Sequence, residues 1–481
     1  MRVFPAGTLR TTVLVAVLAF ASGCASTTIF TPYTARMNPL IEQLKSGRQV
    51  NLSRCLASGR QSTDSALYSL ELGRIAQIQG DVDLSIRSYA DAAEAIRIAD
   101  DKAKITASGA LTQAGAILTN DNALPYRVDG YERILLHSFQ AMNYLVKKNL
   151  EGAGVEIRRA NGEQAEALKR HEEELEDARA EAGQNKLSPA EGTGRVYAHF
   201  AVLDRIIGTV KNSFQNAYSF YVSGMVYELL NQPNDAYIDY KKALEIRPDS
   251  IYVQRDVTRL ARQLGMEEGP NRSGTGLKQD KAGGDVSALP DAETGELLLF
   301  VEEDLVPQKE EVKIPIPVPG TGLISIAFPV YGHQWSEDSP IRVMDGENSV
   351  GPLETLCDTR ALAVKALKEK VPVMVTRQMI RGIAKGIAAR KSREKFGSLG
   401  ELSAFLYNYL SENADLRSWN TLPARVQVLR AMLPAGKHEL FLEQEGDAVA
   451  CLPEVGIDSG ARTIVRVIRA GSTVKLSQMT F

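Results

Sequence analysis

The sequence predicts a chain in two parts: an N-terminal all-α solenoid of stacked helical hairpins with one projecting helical hairpin, then a C-terminal α+β domain with an antiparallel sheet and a helical insertion. Three observations predict it. Small and aromatic residues recur at fixed helical spacing between residues 66 and 250. That periodicity stops in a stretch rich in Gly, Pro, Asp and Lys, read as a flexible linker over 266–294. From Glu296 onward, short β-branched runs broken by Pro and Gly take its place. The expected division is therefore 63–265 helical, 266–294 linker and 295–481 α+β, with 481 residues and 44% apolar content ample for more than one core.

Residues 1–23 read as a targeting segment rather than fold. Arg2 and Arg10 form a basic start, Thr12 to Phe20 is an apolar run too short to span a bilayer, and Ala21-Ser22-Gly23-Cys24 follows. Small residues ending in Cys resemble the bacterial lipobox, which implies cleavage before Cys24 and lipidation of that residue. Acyl chains, palmitate among them, supply roughly 0.8 kcal/mol per buried methylene, so three would hold residues 24–62 and everything after them on a leaflet. No Asp follows at the position of an inner-membrane retention signal, since Ala25 and Ser26 come next. The outer membrane is the expected location.

The clearest hairpin is Ala217 to Ser250, which fits the 34-residue tetratricopeptide (TPR) pattern without a gap. Phe220, Gly224 and Tyr227 mark its first helix; Ala236, Tyr240 and Ala243 mark its second, and Pro248 closes it. Gly224 and Ala236 allow two antiparallel helices to approach, and Tyr227 and Tyr240 are expected to fill the groove. Residues 66–99 repeat the register with Leu72, Gly73, Gly80, Ser85, Tyr89 and Ala92. A weaker copy begins near Ile134, with Ala141, Ala153, Ile157 and Ala160 in register and Lys148-Asn149 at the turn. Lys102 to Leu118 reads as a further helical pair, and Ile41 to Leu56 as a short amphipathic segment. The charged run Asn161 to Ala182, with helix resuming over Arg195 to Asn212, is the expected projecting pair.

Strands are expected at Leu297–Val301, Val312–Val318, Leu323–Val330, Val426–Met432, His438–Glu443, Thr463–Arg469 and Thr473–Gln478. Pro315, Pro317 and Pro319 confine the second of these to an edge or an extended segment. Between them, Thr359–Lys368, Pro372–Lys391 and Ser398–Leu410 read as helices. The middle one is basic, and its Gly382 and Gly386 suit close packing; five cations exclude it as a span. Trp419 reads as a buried wedge joining this insertion to the sheet.

The sequence carries no recognisable catalytic motif. A formal charge of −3 gives no footprint for nucleic acid. The histidines are scattered, no nucleophile elbow or phosphate loop occurs, and no Cys/His cluster points to a metal, so neither cofactor nor catalysis is expected. Cys357 and Cys451 could pair in an oxidising compartment, or remain free thiols like Cys55.

Four stretches carry a resemblance: SALYSLELGRIAQIQGDVDLSIRSYADA, AMNYLVKKNLEGAGVEIRRANGEQ, GELLLFVEEDLVPQKEEVKIPIPVP and DLRSWNTLPARVQVLRAMLPAGKHEL. With them the chain resembles a family of bacterial TPR-containing outer-membrane lipoproteins with a C-terminal β-rich domain. The resemblance brings no activity and implies an association with cell-envelope and peptidoglycan-synthesis lipoproteins. The expected function is a lipid-anchored periplasmic scaffold or adaptor that binds envelope proteins through its repeats. The alternative is an envelope enzyme with its active site in the C-terminal domain.

Overall fold

A computed structural model describes residues 33–51, 59, 62–107, 124–184, 190–201, 203–208, 210–266, 293–318, 322–332, 339–384, 386–387 and 413–481. Cys24, Cys55, nearly all of the expected linker, most of Lys102–Leu118 and the helix expected at Ser398–Leu410 lie outside the described residues.

The N-terminal half is helical: α1 (Tyr33–Lys45), α2 (Ser65–Gln79), α3 (Val82–Ala107), α4 (Gly130–Val146), α5 (Leu150–Gln184), α6 (Ala190–Phe200), α7 (Asp204–Ile207), α8 (Ala217–Leu229), α9 (Pro233–Ile246) and α10 (Ile251–Gln263). Sequence punctuation explains the boundaries. Gly80, with φ +84°, ends α2 by folding its amide back onto Ala76 and Gln77. Asn216 starts α8 by accepting the amides of Tyr218 and Ser219, and Pro233 opens α9. The first helix among the described residues is Tyr33–Lys45, which starts earlier than the expected Ile41–Leu56, because Tyr33, Met37, Leu40 and Leu44 form its buried face. The return from α5 is broken: α6 ends at Phe200 and α7 at Ile207, where one helix to Asn212 is expected from the sequence.

Three hairpins, α2–α3, α4–α5 and α8–α9, share one packing rule. A small buried residue on the first helix is followed by a large buried one sixteen positions later, Gly73 and Tyr89, Ala141 and Ile157, Gly224 and Tyr240, and in the two glycine pairs the residues are in direct contact. A Cβ on Gly73 would lie 2.4 Å from the Tyr89 ring, and one on Gly224 would lie 2.7 Å from the Tyr240 ring. Ala92, Ala236 and Ala243 are fully buried beside them. Tyr227 is only half-buried and Pro248 is exposed in the turn before α10, so Tyr240 alone fills the groove of its hairpin. Gly224→Leu should therefore cost about 1–3 kcal/mol through overpacking. Gly162→Leu on α5, whose added Cβ meets nothing within 4 Å, is the control. Equal denaturation midpoints for the two variants would show that the hairpin is not closely packed.

The C-terminal half consists of β1 (Thr294–Glu303), β2 (Lys309–Val318), β3 (Gly322–Tyr331), β4 (Ile341–Asp345), β5 (Asn348–Pro352), β6 (Glu354–Asp358), α11 (Thr359–Glu369), a helix over 371–384, β7 (Arg425–Pro434), β8 (Gly436–Gln444), β9 (Asp447–Ile457), β10 (Arg462–Ala470) and β11 (Thr473–Thr480). They form a five-stranded sheet ordered β11-β10-β1-β7-β6, a two-stranded ribbon β2-β3 and a four-stranded sheet β5-β4-β8-β9. All seven expected strands are present. The larger sheet is mixed rather than antiparallel throughout, because β1 pairs parallel with β10. Strands β4, β5, β6 and β9 escape the sequence reading. The first three are five residues each, and β9 is bent at Glu454, whose φ is +58°.

The first helix of each hairpin is buried along nearly its whole length, between the second helices and the larger sheet. Tyr218 and Tyr221 of α8 meet Phe300 of β1 edge-on at 5.8 and 6.1 Å between ring centroids. Strand β1 is buried from Gly295 to Glu303. Helices and sheet thus share one large apolar core, and the inner face of the helical layer is covered by the chain itself.

Cys357 and Cys451 are both free, so the possible disulfide does not form. Cys357 is buried on β6 of the larger sheet, whereas Cys451 is exposed on β9 of the other sheet. Burial pushes the Cys357 thiol up to about 12, which makes it inert.

Candidate functional site

Polar chemistry gathers along the seam between the first helices of the hairpins and the larger sheet. Three clusters lie on it.

At the α8–α10 end, three carboxylates alternate with three guanidinium groups. Arg430 Nε donates to Glu296 at 2.5 Å, and its Nη1 reaches Asp256 at 2.5 Å and Glu228 at 3.4 Å. Arg462 joins Glu296 and Glu228, and Arg259 joins Glu228 at 2.9 Å and Asp256 at 3.2 Å. The hydroxyls of Tyr221 and Tyr240 cap Asp256 and Glu228, each at 2.7 Å. Burial pushes the Glu296 carboxyl up, but Arg430 and Arg462 outweigh it and hold the group down at about 2. Glu228 is held lower still, by Arg430, Arg462 and Arg259 against its burial.

In the middle, Glu302 of β1 lies between Arg74 of α2 at 2.5 Å and Arg466 of β10 at 2.6 Å, all three buried. Gln77 knits them together: its Oε1 accepts from Arg74, Arg466 and Tyr89, and its Nε2 donates to Asn143 and the Phe139 carbonyl. Both guanidinium groups stand over the Phe139 ring.

At the third cluster the helices grip a strap, residues 413–424, which is irregular up to Trp419, turns at Asn420–Thr421, runs into β7 and is buried from Arg417 onward. Glu71 of α2 accepts the amides of Asn420 at 2.7 Å and Thr421 at 3.2 Å, and the Thr421 hydroxyl at 2.5 Å. Glu132 of α4 accepts the Trp419 amide at 2.9 Å, and Arg74 donates to the Thr421 carbonyl at 3.2 Å. Arg417 reaches Asp64 at 2.6 Å and the Leu124 carbonyl at 2.9 Å. The Trp419 indole is wholly buried, edge-on to Tyr89 and Phe139. It is buried, as the sequence suggested, and among the described residues its ring contacts come from α3 and α4 rather than from the helical insertion.

A cleft of about 180 Å³ opens where α4, α5 and the helix over 371–384 meet. Four of its cations are paired: Arg133 with Asp100, Arg127 with Glu174 and Lys370 with Asp129 inside the cleft, and Arg170 with Glu163 beside it. Arg377 of the basic helix is exposed at its rim, whereas Arg381 is buried, so that helix does not turn all its cations to solvent.

The structure brings Gly73, Tyr89 and Ala92 to the middle of the seam and Gly224, Ala236, Tyr240 and Ala243 to its end. Tyr89 and Tyr240 do more than pack: each donates its hydroxyl into a buried polar cluster. Sequence reasoning missed Glu71, Arg74, Glu132, Glu228, Asp256, Glu296, Glu302, Arg430, Arg462 and Arg466. A faint signal existed, since Glu302, Arg430 and Arg466 interrupt otherwise apolar strands. Chemically, the seam accepts backbone amides of a turned, non-helical segment and holds two layers in register.

Among the described residues, no helix is long and apolar enough to cross a membrane, and no group of three or more His, Cys, Asp or Glu side chains could hold a metal ion. Comparison of the chain with protein-family models, curated proteins and solved structures finds no match.

Proposed function

We propose that this chain is a lipid-anchored periplasmic scaffold of the outer membrane, with a TPR-like helical layer that presents binding surfaces to envelope proteins. The observation that carries the reading is the strap: hairpins with repeat spacing hold a non-helical, turned segment by its backbone amides and one deep aromatic side chain, as repeat layers hold short segments of chain. Here the inner face is taken by the chain's own residues 413–424. Partners therefore engage the outer surfaces, and the 35-residue α5, largely exposed along its second half, is the arm for that purpose, while α6 packs against β2. The resemblance to TPR-containing lipoproteins connects the scaffold with cell-wall assembly.

Lipidation at Cys24 is the part most directly tested. Cys24→Ala should leave the membrane fraction for the soluble periplasmic fraction with the fold unchanged, read by fractionation beside circular dichroism. Retention on membranes washed at high salt and high pH would remove the anchor from this reading.

A further inference from the structure

With the inner face of the helical layer filled, the cleft walled by the second half of α5 is the recess left open on the outside. Its floor is apolar. Ala167 and Phe214 belong with Ile134 to a small cluster apart from the main core, and Val373 and Met374 also line the space. Gly130, at the start of α4, keeps that floor clear, because a Cβ there would stand 3.5 Å from those of Ala167 and Phe214.

The walls carry five cations against four carboxylates. Every carboxylate is engaged: Asp100 by both terminal nitrogens of Arg133 at 2.6 and 2.8 Å, Asp129 by Lys370, Glu174 by Arg127, and Glu369 by the Ser213 hydroxyl at 2.6 Å and by Lys365. Arg377 is the cation left over, exposed at the rim and ion-paired with nothing among the described residues. Arg127 is nearly as available, since its side chain is 63% exposed and its pair with Glu174 is long, at 3.4 Å. Asp129 and Glu369 sit deeper, at 9% and 16%. An approaching group therefore meets positive charge first, on a chain whose formal charge is −3.

The geometry points to this cleft as a docking site for a short acidic segment of a partner protein: a carboxylate meets Arg377 and Arg127 at the rim, and the apolar side chain next to it rests on Ala167 and Phe214. The inference rests on the adaptor reading and gives it a place and a chemistry. Guanidinium groups recognise carboxylates through paired, charge-assisted hydrogen bonds, while the apolar anchor supplies most of the affinity. At about 180 Å³ the cleft is smaller than the roughly 300–1,000 Å³ that holds a drug-sized ligand, so it takes one or two side chains rather than a cofactor. A flat anionic membrane fits less well, because of the two cations in residues 371–384 only Arg377 faces outward and Arg381 is buried.

An array of random hexapeptides probed with the detergent-solubilised full chain tests this. The strongest binders should carry Asp or Glu next to Leu, Ile, Val, Met or Phe. Measured singly by fluorescence anisotropy, they should bind Arg377→Gln about fivefold more weakly. Changing the peptide's acid to its amide should cost as much on the wild type and little on that variant. Glu174→Gln releases Arg127 and should tighten binding about twofold. Both substitutions are on the surface, and circular dichroism verifies that the fold is kept. The inference is overturned if the binders lack an acid, if Arg377→Gln binds them within about 1.5-fold of the wild type, or if Glu174→Gln weakens them. Binders indifferent to both substitutions would leave the adaptor reading standing with its surface elsewhere, whereas an array with no binder at all would remove both. Flotation with phosphatidylglycerol vesicles that depends on Arg377, with no peptide bound, would assign the rim to a membrane and reject the docking site.

Discussion

Arg430→Ala should destabilise the entire chain by about 3–5 kcal/mol at neutral pH, the cost of stripping the counter-charge from buried carboxylates. Arg430 touches Glu296, Asp256 and Glu228, which come from β1, α10 and α8, so its loss leaves a cluster of three cations and three acids with an excess negative charge. Acid should narrow the deficit. In the wild type Glu296 is depressed to about 2 and Glu228 lies lower, so their contribution is present above about 4.5 and is lost only as pH falls through the depressed values. Without Arg430 these carboxyls rise and can be neutralised by protons near pH 4, which relieves the variant first. Guanidinium unfolding at pH 7 and pH 4 measures both effects. A deficit below about 1 kcal/mol, or one that widens in acid, would mean that the cluster is hydrated rather than buried.

The same variant addresses how the two halves are joined. Because Arg430 belongs to β7 and its partners to α8, α10 and β1, helices and sheet should unfold in one transition in both proteins. The sequence reading placed a flexible linker between them, over residues that lie almost wholly outside those described. Cohesion across the seam is another matter, since it depends on pairs far apart in sequence. Arg74 and Thr421 are 347 residues apart, and Arg466 and Gln77 are 389 apart.

This explains which features were legible. The hairpins were readable because each is local: a glycine and the tyrosine sixteen residues on must agree within one supersecondary unit, and that agreement is visible in any window of that length. Strands β1, β7 and β10 were readable because β-branched runs name themselves. The charged residues inside them were not interpreted, for a physical reason. Glu302, Arg430 and Arg466 on a strand read as a solvated face, and only the arrival of a helical layer with complementary charge on that face buries them. The strap was opaque for a related reason: it has no periodicity, and what orders it is the pair of glutamates 287 and about 350 residues upstream. Of its residues only Trp419 stood out, by size, and the sequence could say that it was buried but not against what.

Trp419→Ala should cost about 3–5 kcal/mol, the range for truncating a fully buried large aromatic. The indole is the largest wholly buried side chain described and stands at the meeting point of all the layers, edge-on to Tyr89 at 5.8 Å and Phe139 at 6.2 Å. Its ring nitrogen donates to the Thr421 hydroxyl, which in turn donates to Glu71, so truncation also loosens the seating of that carboxyl. Trp419→Phe separates the two contributions: it keeps most of the volume but not the donor, and should recover more than half of the loss. Both variants leave the Arg430 cluster untouched. If truncation acts through the seam, the helical and sheet signals should fall together at a lower midpoint, with the wild-type denaturant slope retained. A loss confined to the helical signal, with the sheet melting as in the wild type, would show that the strap belongs to the helices alone and that the two layers are held by the ion clusters without it.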